Sequence, residues 1–178
     1  MLRTLWDFGR PHTIIASFIS ITTLYLLVVP NGQGTQYISI YLLTLISALA
    51  CNVFITGLNQ ITDVDLDKKN KAFLPIPRGD LSIAHAKIII VVSFVLCLIS
   101  AAIISHILFL IMLLIAGIGF AYSAPPLRLK RHHLPAALSI VVVRGIVVNL
   151  GIGWFLEWKI SGSWGHLDGI ILLAIFVS

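Results

Sequence analysis

Charged side chains are scarce in this 178-residue chain: Asp and Glu number seven and Lys and Arg twelve, together 11% of residues, while 58% are hydrophobic. Soluble domains carry about 25% charged residues, so the composition points to a bilayer rather than water as the main solvent. Cysteine is nearly absent, and Cys51 and Cys97 both lie inside apolar runs. They read as reduced packing residues, not as a disulfide or metal pair. No partner spacing around His132 and His133 supports zinc, so these read as interfacial residues. No small-residue cleavage site follows the first apolar run and no transit pattern precedes it, which makes that run a spanning helix rather than a signal peptide. A Gly-rich stretch ahead of paired aspartates, which a membrane phosphotransferase acting on activated alcohols would require, is also missing.

What the chain has is apolar length. Continuous apolar stretches cover residues 11–29, 38–58, 84–104, 107–122 and 135–155, and a further run starts at Leu167. Hydrocarbon offers no water to backbone groups, so runs of this length are helices. The expected fold is all-α: a polytopic transmembrane helical bundle of about five spans plus an unfinished sixth, in one membrane domain over residues 1–178. The last run is shorter than the roughly 20 residues a span requires, so the chain is expected to be truncated at its C-terminus. Thirteen Gly and seven Pro are tolerable because neighbouring membrane helices satisfy freed backbone groups.

The net charge of +5 would suggest nucleic acid in a soluble protein. Here the basic residues are interleaved between apolar runs, which membrane orientation explains, and no nucleic-acid partner is expected. If the N-terminus is cytoplasmic and every run crosses, Arg3, Arg10, Lys68, Lys69, Lys71, Arg78, Lys87, Arg128, Lys130 and Arg131 share the cytoplasmic side, with Lys159 opposite and Arg144 inside a span. Lys and Arg accumulate on that side. The expected protein is therefore integral and multi-pass, with the N-terminus and both long basic links, residues 59–83 and 123–134, in the cytoplasm.

The first of these links opens Asn59-Gln60-Ile61-Thr62-Asp63-Val64-Asp65-Leu66-Asp67-Lys68-Lys69-Asn70-Lys71. Asn59, Asp63 and Asp67 recur every four residues, so a helix continuing through them carries all three on one face, over about 12 Å. Like charges at that spacing repel. A divalent cation removes the repulsion, and Mg²⁺ is typically held by one or two carboxylates with the phosphates of a substrate. A solvated acidic turn with Asp67 paired to Lys71 is the alternative. Asp65 lies about 200° round from Asp63 and faces away from the stripe.

The second link reads Tyr122-Ser123-Ala124-Pro125-Pro126-Leu127-Arg128-Leu129-Lys130-Arg131. Its Pro-Pro pair ends a helix and directs Tyr122, Arg128 and Lys130. In an extended segment, alternation puts Arg128 and Lys130 on one side and Arg131 on the other. The two cations suit phosphate, or form a basic cluster attracted to anionic lipid. Arg144, with Asn149 five residues on, lies within an apolar run and should point into the bundle, because facing lipid is costly. Arg10, before Pro11, is either another cation for phosphate or a snorkelling anchor.

Taken together, these stretches resemble the UbiA-type membrane prenyltransferases, whose first signature is an Asn followed by two Asp at four-residue steps, here Asn59, Asp63 and Asp67. Within that family, N-Q-I-T-D-V-D-L-D-K-K-N-K, Y-S-A-P-P-L-R-L-K-R and V-R-G-I-V-V-N-L-G are most similar to the homogentisate phytyltransferase group of the tocopherol pathway. Ala72 stands where that group usually has Pro, and Arg78 where it usually has a small or neutral residue.

The resemblance implies nine helices in an intact enzyme, a second aspartate motif on the sixth helix beyond Ser178, and a cyanobacterial-like bacterial membrane. It implies Mg²⁺-dependent transfer of a phytyl or geranylgeranyl group from its diphosphate to an aromatic acceptor, homogentisate above all, with 4-hydroxybenzoate and chlorophyllide as alternatives. Asn59, Asp63 and Asp67 would bind the metal. Arg10, Lys71, Arg128 and Lys130 would contact the diphosphate. Tyr122, Arg144 and Asn149 are further substrate-binding candidates, with Arg144 either binding the acceptor carboxylate or orienting an aspartate. With a single aspartate motif, residues 1–178 alone are expected to be inactive. A transporter is the alternative from another class, since intramembrane charge often marks a translocation path.

Overall fold

The computed structural model describes residues 2–162, which fold into helices joined by short links. In chain order these are α1 (Leu2–Phe8), α2 (Pro11–Val28), α3 (Ile38–Thr62), α4 (Val64–Asn70), α5 (Pro75–Arg78), α6 (Ile83–Ile104) and α7 (His106–Ser123). A 3₁₀ turn at Leu129–Arg131 leads into α8 (His133–Val141), a π-helical stretch (Val142–Ile152) and α9 (Gly153–Ser161). The last three run on as one membrane-length unit, His133–Ser161. Together with α2, α3, α6 and α7 it makes five helices long and apolar enough to cross a membrane. Their bounds fall within a few residues of the apolar runs, except that α3 continues to Thr62 and the last unit reaches Ser161. The run beginning at Leu167 lies outside the described residues.

Local chemistry sets the ends. Pro11 occupies the first turn of α2, where its missing N–H costs nothing. Ser82 caps α6 by accepting from the His85 N–H at 3.2 Å. Ser105, in extended backbone, separates α6 from α7 and accepts from the Ile107 N–H at 3.1 Å. Each cap satisfies a backbone donor that the helix leaves unpaired.

Helix α3 is the centre of the bundle and packs against α2, α6 and α7. Lipid is as apolar as leucine, so these contacts depend on close packing and interhelical hydrogen bonds more than on transfer from water. Both devices are visible. A Cβ on Gly57 would lie 2.7 Å from Phe8 Cζ and 2.8 Å from Ile90 Cγ1, and one on Gly119 would lie 2.6 Å from Ile55 Cγ1. Ser47 Oγ donates to the Cys97 carbonyl at 2.8 Å, joining α3 to α6. Both cysteines are free and buried. Ile88, Val91, Val92, Val95, Leu96, Ile99 and Ile103 leave α6 an apolar outer face, which suits hydrocarbon and not water.

The fifth span departs from the single α-helix expected of it. Over Val142–Ile152 the backbone adopts the wider π form, and Asn149 Nδ2 donates to the Arg144 carbonyl at 2.7 Å. A side chain inserted into the backbone ladder is a recognised cause of such departures, and short π segments are frequent at functional sites.

Candidate active site

Alternating helix direction brings the start of α2, the end of α3, the end of α7 and the start of α8 to one end of the bundle, together with α1, α4, α5 and the 3₁₀ turn. Phe8, fully buried, anchors α1 there, and Gln60 Nε2 on α3 donates to its carbonyl at 2.6 Å. The expected uninterrupted helix through Asn59, Asp63 and Asp67 is broken: Asp63 has φ −115° and ψ 17°, between α3 and α4. The break still keeps Asn59 and Asp63 together, because one ammonium group bridges them.

That ammonium belongs to Lys130. Its Nζ donates to Asn59 Oδ1 at 2.7 Å, Asp63 Oδ2 at 2.7 Å and Thr62 Oγ1 at 3.0 Å. Arg128 takes the other carboxylate oxygen, with Nη2 2.9 Å from Asp63 Oδ1 and 3.0 Å from the Thr62 carbonyl. The Lys130 and Asp63 side chains are each only 12% exposed, so water screens this pair less than it would a surface ion pair. Burial pushes the Lys130 pKa below the ordinary lysine value, against the opposing pull of Asp63. Arg128 and Lys130 were expected to share one side of an extended segment. They do converge, but through the 3₁₀ turn and a left-handed Arg128 with φ 39°.

Asp67 on α4 is buried, and Lys71 Nζ approaches its Oδ1 at 3.2 Å. The approach is off the hydrogen-bonding direction, because that oxygen has no hydrogen-bond partner. Arg128 Nε is likewise buried without one. The neighbourhood thus holds an unmet carboxylate oxygen and an unmet cationic donor. Asp65, as expected, faces away, with its side chain 99% exposed and Lys68 at 3.6 Å.

Below this cluster lies a cavity of about 480 Å³ between α2, α3, α7 and the fifth span. Arg10, Asn59, Tyr122, Arg144 and Asn149 all line it, so five of the residues singled out in the sequence meet there. Asp63, Asp67, Lys71, Arg128 and Lys130 are not among its lining residues; Asn59 links the two groups. The Arg144 guanidinium forms no ion pair or hydrogen bond among the described residues.

Sequence reasoning missed a polar strip on the cavity wall. Asn52 Nδ2 donates to Ser17 Oγ and to the Thr13 carbonyl, each at 2.8 Å, and Ser20 Oγ donates to Asn149 Oδ1 at 3.0 Å. The buried Ser123 hydroxyl lines the cavity without a hydrogen-bond partner. The signal was present: Thr13, Ser17 and Ser20 share one face of α2, and Asn52, Thr56 and Asn59 one face of α3.

Among the described residues no group of three or more His, Cys, Asp and Glu is placed to hold a metal. The set here is instead an amide with two carboxylates, all oxygen donors, and one buried carboxylate oxygen has no hydrogen-bond partner. Such a set fits Mg²⁺, which completes its shell with water and phosphate oxygens.

Several known proteins are similar to this chain. Homogentisate phytyltransferase of Synechocystis sp. is 45% identical over 99% of this chain and 58% of its own length. Homogentisate geranylgeranyltransferase of Triticum aestivum is 39% identical over 84% of the chain and 38% of its own length. The chain thus spans between about two-fifths and three-fifths of these curated relatives. A UbiA homolog from Archaeoglobus fulgidus, solved with DMAPP and Mg²⁺, superposes with a TM-score of 0.73 at 23% identity, covering 97% of this chain and 59% of that one. The same homolog solved with GPP and Mg²⁺ gives 0.72. These two structures support the helical fold. The model of the UbiA prenyltransferase family matches residues 17–178, from the cavity-facing Ser17 through the aspartate cluster and the fifth span, and this integral membrane chain belongs to that family.

Proposed function

We propose that this chain carries the diphosphate-binding part of a membrane prenyltransferase, which moves a phytyl or geranylgeranyl group from its diphosphate to an aromatic acceptor, homogentisate above all. The observation that carries this reading is the meeting of Asn59 and Asp63 with Lys130 and Arg128 beside a cavity that Asn59 lines, with Asp67 near enough for its charge to act on Lys130. The names and bound ligands of the relatives support it.

In this reading Asn59, Asp63 and Asp67 hold Mg²⁺. When bound, the metal supplies Lewis-acid stabilisation of negative charge on the departing diphosphate. Arg128 and Lys130 add charge-assisted hydrogen bonds to diphosphate oxygens, with Lys71 and Arg10 at the periphery. The C–O bond breaks with its electron pair leaving on the diphosphate, an electron-rich phenol ring carbon forms the new C–C bond to the allylic carbon, and the ring regains aromaticity by losing a proton or, for homogentisate, its carboxylate as CO₂. The walls of α2, α3 and α7 keep water from that carbon. Arg144 and Asn149 meet the acceptor, with the Arg144 guanidinium facing its carboxylate and Tyr122 nearer the reacting end. Carboxylates cluster at a helix end beside paired cations, whereas a translocation path would carry them near helix centres.

Ten basic residues on the side of the cluster, against Lys159 opposite, support a cytoplasmic face for the site. The test is binding of radiolabelled geranylgeranyl diphosphate to the chain in lipid nanodiscs. Binding that requires Mg²⁺ and disappears in Asp63→Asn is expected. Equal binding with and without a divalent cation would overturn the reading.

A further inference from the structure

Lys130 does more than wait near the carboxylates. An ammonium has three protons, and all three are used: on Asn59 Oδ1, Asp63 Oδ2 and Thr62 Oγ1. Two of these three acceptors are oxygens assigned above to the metal. We infer that Lys130 is a tethered stand-in for the divalent cation, so that the site takes the metal together with the diphosphate and resists the metal alone. This inference rests on the metal and diphosphate reading given above.

Charge and hydrogen bonding lead to the same conclusion. Asp63 and Asp67 carry two negative charges, while Lys71, Arg128 and Lys130, each within 3.2 Å of one of them, carry three positive charges. One positive charge is left over. A free divalent ion entering this cluster has to displace the Lys130 ammonium from Asn59 and Asp63 and then remain beside it and Arg128, in a half-buried setting where like charges repel strongly. A prenyl diphosphate with its metal carries about zero to one net negative charge, since the diphosphate alone holds about two to three. It also brings phosphate oxygens, to which Lys130 and Arg128 can transfer as the carboxylates are freed.

The two unmet charged groups have opposite signs. Arg128 Nε is a buried cationic donor lacking an acceptor, and Asp67 Oδ1 is a buried anionic acceptor lacking a donor. A lone cation answers only the second and a lone diphosphate only the first. The pair answers both. Thermodynamic linkage then requires that metal tightens diphosphate binding by the same factor as diphosphate tightens metal binding.

The probes are Mn²⁺, followed by the paramagnetic signal of the free ion, and inorganic pyrophosphate, with the chain in neutral phosphatidylcholine nanodiscs and a correction for Mn²⁺ bound by pyrophosphate in solution. Wild type is expected to bind Mn²⁺ at least tenfold more tightly with pyrophosphate than without. Lys130→Gln should close that gap from both sides, tightening binding of Mn²⁺ alone at least threefold while weakening pyrophosphate-coupled binding. Thr62→Ala removes one of the three ammonium acceptors and keeps the charge, so it should tighten Mn²⁺ binding in the same direction by less, and it decides the matter should Lys130→Gln fail to accumulate. Coupled binding in wild type with no tightening of Mn²⁺ alone in either variant overturns the stand-in inference while leaving the metal and diphosphate reading intact. Absence of any Mn²⁺ or pyrophosphate binding in wild type overturns both.

Discussion

Ser20 on α2 and Asn149 in the π-helical stretch meet across the cavity wall, the serine hydroxyl donating to the amide oxygen at 3.0 Å. The same amide donates to the Arg144 carbonyl, so one buried side chain both ties two helices together and holds the π geometry. Asn149→Ala is expected to cost on the order of 1 kcal/mol, the scale of interhelical hydrogen bonds in membranes. Reversible unfolding in mixed detergent micelles checks it, with Ser20→Ala expected to lose less, since it breaks one bond instead of two.

The carboxylates should separate cleanly. Asp63→Ala leaves Arg128 and Lys130 facing each other unneutralised and is expected to abolish Mg²⁺-dependent diphosphate binding, and Asp67→Ala to weaken it at least tenfold. Asp65→Ala removes a fully solvated group paired only with Lys68 and should leave binding within twofold of wild type. The comparison is made by equilibrium binding at saturating Mg²⁺.

Arg144→Gln tests the acceptor end. The residue lines the cavity and is not part of the carboxylate cluster, so diphosphate binding should be unchanged. Affinity for a hydroxylated arylacetate should fall roughly tenfold, the loss expected of a charge-assisted contact of about 1.5 kcal/mol. Titration of the acceptor followed by tryptophan fluorescence provides the readout.

Gly57→Ala should destabilise by about 1 to 3 kcal/mol, the usual cost of overpacking. The added methyl meets both Phe8 on α1 and Ile90 on α6 at under 3 Å, so both side chains have to shift to admit it. Loss of thermal stability in detergent is the measure, and the shortened Phe8→Leu in the same chain should recover part of it.

Orientation is checked by impermeant thiol labelling. Cysteines introduced at Lys69 and His132 are expected to label from the cytoplasmic side and one at Gln33 from the other. Native Cys51 and Cys97 are buried, which keeps the background low.

The helices were legible because hydrocarbon imposes long apolar runs, and Ile38 and Ile104, where observed spans begin or end, were already the ends of such runs. Asn59, Asp63, Arg128 and Lys130 were singled out by residue type and spacing, and the structure brings these four together. Their conformation was not legible. The break at Asp63 coincides with its contacts to Arg128 and Lys130, more than sixty residues away in sequence, and no local preference encodes those partners. Asn52 was overlooked for a different reason: one amide in an apolar helix carries little weight until Thr13 and Ser17 are seen across from it. The π stretch had no periodicity of its own, since Val142–Ile152 is apolar at most positions whichever ladder it adopts.

Arg10 and Arg128 are the two non-glycine residues among those described with positive φ, 57° and 39°. Side chains with a Cβ pay about 1 to 2 kcal/mol for that region, and glycine does not. At Arg10, whose side chain has no hydrogen-bond partner among the described residues, replacement by glycine therefore relieves the backbone and removes a cavity-lining cation in one step. Tolerance and usefulness diverge at this position. A screen that selects variants for heat resistance would drift towards Arg10→Gly and discard the proposed diphosphate contact without any sign of harm, whereas, on that proposal, a screen for diphosphate capture would retain the arginine and forgo the added stability.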